Sequence, residues 1–159
     1  MIRFALTLAF TLIALPAPAF DVQGHRGARG LAPENTLPAF QRALDLDVTT
    51  IECDMAITKD GVVVIHHDLW LNPDTTRGPD YARAFPDQQP VDGTRIPKLA
   101  DLFDLVKKSG NATVGFDCET KVSPHEPAAT LPPEEFARKA IAQIRKAGME
   151  RRTMVQSFD

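Results

Sequence analysis

Short β-rich runs alternate with helical patterns from Asp21 to the end of the chain, and this alternation constrains the fold more than any other feature. Five runs read as strands, over residues 21–25, 49–57, 62–65, 113–118 and 153–156. Three stretches between them repeat apolar residues at helical spacing. Asn35 or Thr36 caps the first, which puts Leu37, Phe40, Ala43 and Leu44 on one face. Leu99, Leu102, Phe103 and Val106 mark the second, which Gly110 ends. Pro133 opens the third, with Phe136, Ala140, Ile141 and Ile144 inward and Gly148 as its stop. Only Lys59-Asp60-Gly61 joins the second and third strands, so spacing alone predicts an antiparallel hairpin there.

Composition narrows the class. With 43% hydrophobic and 25% charged residues the chain reads as an ordinary soluble globular domain. Eighteen basic against 21 acidic residues leave a net charge of -3 and no basic stripe, so no nucleic-acid partner is expected. Residues 1–19 read as a signal peptide. Arg3 follows the start, residues 4–15 are apolar apart from threonines, and Ala17-Pro18-Ala19 predicts cleavage before Phe20. That apolar run is too short to span a bilayer, so the expectation is an exported protein, periplasmic or secreted, without a stable membrane anchor.

Chemistry concentrates at the downstream ends of the strands. Gly24-His25-Arg26-Gly27 offers a titratable ring and a planar cation on a tight turn. Alternation sends Glu52 and Asp54 to one face of an apolar strand and Cys53 to the other. Two carboxylates there repel unless a cation sits between them, which favours a hard divalent metal. Asp117, Glu119 and Lys121 likewise share a face. His66-His67-Asp68 follows the third strand, and only one of the two histidines can face inward. His125 lies in a Pro-rich loop and is expected to be exposed, without a functional role.

Taken in order, these residues resemble the glycerophosphodiester phosphodiesterase family. The resemblance rests on His25-Arg26-Gly27, Pro33-Glu34-Asn35-Thr36, Ala39-Phe40, Glu52-Cys53-Asp54, Thr58-Lys59-Asp60-Gly61, His67-Asp68 and Glu119-Thr120-Lys121, with Ser157-Phe158 at the fifth strand's end. It implies a TIM (β/α)8 barrel whose second and third strands run parallel, against the hairpin that spacing suggests. It implies that Glu52, Asp54 and Glu119 hold one divalent cation, Ca2+ or Mg2+, and that His25 and His67 form an acid–base pair. Arg26 and Lys121 would bind the phosphate of a small-molecule glycerophosphodiester, cleaved to glycerol 3-phosphate and an alcohol. A related phospholipase D-type activity on choline lysolipids, and a non-catalytic phosphoester-binding barrel, are the alternatives.

Three further expectations follow. Asp47 stands where family members often have glycine, which a left-handed conformation accommodates. With five strands where a full barrel has eight, residues 20–159 read as the N-terminal part of the barrel, incomplete at its C-terminus and inactive alone. Cys53 and Cys118, on the second and fourth strands with the third between them, are expected to be too far apart to bridge and to remain free thiols against the helical layer.

Overall fold

The computed structural model describes residues 20–72, 75–76 and 93–158; the expected signal peptide lies outside them. Among these residues the elements are β1 (Gln23–Gly24), α1 (Leu37–Asp45), β2 (Thr50–Ile57), β3 (Val63–Ile65), α2 (Leu99–Ser109), β4 (Gly115–Thr120), α3 (Pro133–Ala147) and β5 (Thr153–Ser157). Strands β1, β2, β4 and β5 lie side by side and parallel, while β3 pairs antiparallel with the end of β2. No described helix is long and apolar enough to cross a membrane.

The β2–β3 pairing corrects the parallel order that the resemblance implies. Met55, Ala56 and Ile57 face Ile65, Val64 and Val63, as the three-residue link requires. The carbonyls of Glu52 and Asp54 accept from Gly27 N (3.1 Å) and His66 N (2.9 Å), so β1 and β3 share one edge of β2. The opposite edge is thereby left to β4. Strands β2 and β4 are direct neighbours, from Thr50 against Gly115 to Met55 against Thr120. This overturns the expectation that a third strand separates Cys53 from Cys118.

The helices form as their sequences direct. Thr36 Oγ1 accepts from Ala39 N (3.3 Å) at the start of α1, while Asn35 beside it is left-handed and buried. Beyond α1, Asp47 adopts the left-handed conformation expected of it, at φ 53°. Helices α2 and α3 end on the left-handed glycines Gly110 and Gly148. All three pack on the outer face of the sheet, where Phe40, Phe103, Val106, Phe136 and Ile144 meet Ile51, Cys53, Met55, Phe116 and Cys118. Phe103 meets Phe116 edge-on at 5.0 Å between centroids. Ile141 departs from expectation: the buried stripe of α3 runs Phe136, Ala140, Ile144, and Ile141 lies off its flank, exposed.

Candidate active site

The site is built on the inner face of the same strands. Glu52 and Asp54 on β2 stand opposite Asp117 and Glu119 on β4, and all four are buried. One oxygen from each of Glu52, Asp54 and Glu119 lies within 4.8 Å of the others. Asp54 Oδ1 is buried without an aligned hydrogen bond, although Lys121 Nζ lies 3.0 Å away. Three converging hard oxygen donors, one of them unsatisfied, fit a hard divalent cation.

The cations come from both sides of this cage. Lys121 follows β4 and extends its ammonium between Asp54 and Glu119, the latter at 2.5 Å. Arg26 follows β1 on a left-handed residue (φ 50°); its Nε lies 3.1 Å from Asp54 Oδ2 and its Nη1 2.6 Å from Glu34. Gly27 makes that turn possible: at φ +83°, with α1 so close that an added Cβ would lie 2.7 Å from the Ala39 carbonyl carbon, no larger residue fits. Arg26 N also donates to Glu52 Oε2 (2.5 Å), and Asn35 Nδ2 donates to Asp54 Oδ2 (2.7 Å).

Burial dominates the electrostatics. It raises Glu52 from 4.5 to about 7, against the pull of the Arg26 N–H, with the Asp54 charge adding to the rise. Asp117 is raised for the same first reason and by Glu119. Its Oδ1 is buried without a hydrogen-bond partner among the described residues.

Of the two histidines singled out, His25 stands over the cage, its Nε2 3.8 Å from Glu52 Oε2. Burial lowers its pKa, and the neighbouring Arg26 and Arg29 charges lower it further, favouring the neutral ring. His67 stands apart, its Nδ1 2.8 Å from Asp68 Oδ1, while Asp68 Oδ2 accepts from Asn72 Nδ2 (2.5 Å). No hydrogen bond or ion pair joins His67 to the cage carboxylates Glu52, Asp54 and Glu119 among the described residues, but His66 N on the Asp54 carbonyl anchors its segment to the cage strand. The His66 ring turns instead to the Trp70 carbonyl (3.0 Å). The supporting residues Glu34, Asp68 and Asn72 carry no role in the sequence reading, and Asn35 figures there only as a candidate helix cap. For Glu34, Asn35 and Asp68 a signal was present, since they lie within the Pro-Glu-Asn-Thr and His-Asp motifs.

The profile of the Glycerophosphoryl diester phosphodiesterase family matches residues 25–159, which takes in all of these side chains. The chain belongs to this family. A glycerophosphodiester phosphodiesterase from Caldanaerobacter subterraneus is 31% identical over 150 residues, covering 87% of this chain and 58% of that protein. A solved structure from Silicibacter pomeroyi is 31% identical with a TM-score of 0.72, covering 87% of this chain and 57% of that one. The glycerophosphodiester phosphodiesterase structure from Agrobacterium tumefaciens is 28% identical with a TM-score of 0.62, at 87% and 57% coverage. The chain therefore spans little more than half the length of these relatives. Its four parallel strands β1, β2, β4 and β5 and three helices correspond to part of the TIM barrel of this phosphodiesterase family, with the antiparallel β3 as an addition to it.

Proposed function

We propose that this chain carries the reacting groups of a metal-dependent phosphodiesterase that hydrolyses glycerophosphodiesters to glycerol 3-phosphate and an alcohol. The observation that carries this reading is the convergence of Glu52, Asp54 and Glu119 between Arg26 and Lys121, with His25 beside them. A phosphodiester is an anion that repels nucleophiles, so its site must supply positive charge. Glu52, Asp54 and Glu119 would hold one Ca2+ or Mg2+, which supplies Lewis-acid neutralisation of the phosphate oxygens. Arg26 and Lys121 bind the remaining phosphate oxygens.

The histidines divide the proton work. His25, kept neutral by burial and by Arg26 and Arg29, takes the proton from the attacking hydroxyl. Asp68 fixes the His67 ring through Nδ1, leaving Nε2 to deliver a proton to the departing alkoxide. An Oleispira antarctica phosphodiesterase, 24% identical with a TM-score of 0.66, has been solved with its product sn-glycerol-3-phosphate, which agrees with this substrate class. Residues 1–19 support an exported location, periplasmic or secreted.

The deciding assay is release of glycerol 3-phosphate from glycerophosphocholine by the chain, alone and within any longer reading frame that contains it, with and without EDTA. Release that stops in chelator and returns with Ca2+ or Mg2+ is expected. Full activity in chelator, or no release in any frame, overturns the reading. N-terminal sequencing of the exported protein should begin at Phe20.

A further inference from the structure

We propose that Cys53 and Cys118 are a disulfide-forming pair, cross-linked while the chain folds, that ties β2 to β4 directly behind the carboxylate cage. They are the chain's two cysteines, and the sheet makes them direct cross-strand partners. Their sulfurs lie 3.5 Å apart, on the same outer face, and both residues are fully buried. Adjacent strands run ~4.8 Å apart, inside the ~4.4–6.8 Å Cα range of disulfides, so small side-chain rotations close the remaining gap. Both are free thiols in this structure.

The position gives the bond a purpose. Cys53 lies between Glu52 and Asp54, and Cys118 between Asp117 and Glu119, so four carboxylates face one another across the same two strands. Without a bound cation these charges push β2 and β4 apart. A slip of one residue would also turn Asp54, or Glu119 if β4 is the strand that slips, into the apolar layer. A covalent link at this register opposes both.

The chemistry needs a disulfide donor, for which oxidised glutathione serves. One cysteine thiolate attacks the donor and releases one glutathione thiol, leaving a mixed disulfide. The second cysteine thiolate attacks the protein sulfur of that mixed disulfide, forming the Cys53–Cys118 bond and releasing the second glutathione. The two cysteines are oxidised, the donor is reduced to two thiols, and the two cysteine protons end on them. No donor reaches either sulfur in the folded sheet, where both residues are fully buried under the helices. Oxidation therefore belongs to folding, before the helices cover the strands.

The test is to refold the reduced 159-residue chain in glutathione buffers of graded redox ratio, quench with acid, and alkylate in denaturant before intact-mass analysis. The same equilibrium is measured in guanidinium. The expected result is a monomer lacking two hydrogens and both alkyl groups. Its equilibrium constant should be at least ~100-fold larger in native buffer than in guanidinium, about 60 mV in potential. Equal constants, intermolecular bonds alone, or a monomer with two alkylatable thiols across the series would each overturn the proposal. Cys118→Ala should leave only the mixed disulfide at Cys53; an unchanged mass profile in that variant would also overturn it.

Discussion

On the outer face of β2 and β4, Ile51, Cys53, Met55, Phe116 and Cys118 are buried; on the inner face Glu52, Asp54, Asp117 and Glu119 are buried almost as deeply. Alternate residues of the same two strands thus experience similar removal from water with opposite thermodynamic results. Outward burial is favourable in itself, because apolar area leaves water. Inward burial is unfavourable until something offsets the charge, and here Arg26, Lys121 and hydrogen bonds from Asn35 and the Arg26 backbone do part of that. Residue parity separates what stabilises the domain from what builds the carboxylate cage.

The sharpest way to break this contrast is Phe116→Ala. It removes the ring that meets Phe103 edge-on and should cost ~3–5 kcal/mol of unfolding free energy in a denaturant titration. Asp117→Asn, its inner neighbour with an unsatisfied oxygen, should cost nothing or stabilise. An equal loss at both would erase the distinction. On the chemical side, His25→Ala and His67→Ala should each lower kcat/KM by ~10²–10⁴-fold while leaving the melting temperature in place.

A subtler measurement uses pH. With its folded-state pKa near 7 against 4.5 unfolded, Glu52 binds its proton more tightly in the fold. Its contribution is therefore fully present below about 4.5 and lost as pH rises through about 7. In chelator, the melting temperature of the wild type minus that of Glu52→Gln should fall as pH rises through this window. Taking the difference removes His25, whose lowered pKa acts with the opposite sign. A flat difference would mean that the inner face is not strained by its charge. The smallest effect belongs to His66→Ala, within ~0.5 kcal/mol and with little change in turnover, since among the described residues its ring hydrogen-bonds the Trp70 carbonyl and none of the cage carboxylates.

Much of this was legible in the sequence because alternation is a strict rule in strands. Spacing puts Glu52 with Asp54 on one face of β2 and Glu119 with Lys121 on one face at the end of β4, the family resemblance brings the two together, and Thr36, Gly110 and Gly148 bound their helices as their types suggest. Local spacing also gave the hairpin at Lys59-Asp60-Gly61; the family resemblance displaced that reading with a parallel order. Inserting β3 between β2 and β4 then separates two cysteines that in fact touch. What could not be read was pairing at long range. That Asn35 would turn left-handed and hold Asp54, or that Asp68 would bridge His67 and Asn72, depends on where loops land after the sheet has formed.

The hairpin has a consequence for the order in which the site is put together as the chain is made. Hairpins close within ~1–10 μs, so the segment from Asp54 to His67 can take shape as soon as it has left the ribosome. Glu119 and Lys121 lie in β4 and just beyond it, and pairing at that range waits for the whole of α2 to be synthesised first. During that interval Glu52 and Asp54 have neither Lys121 nor Glu119 beside them. Arg26 and Asn35, already made, are the groups at hand to keep them company, so the loop after β1 is the first support these buried carboxylates meet.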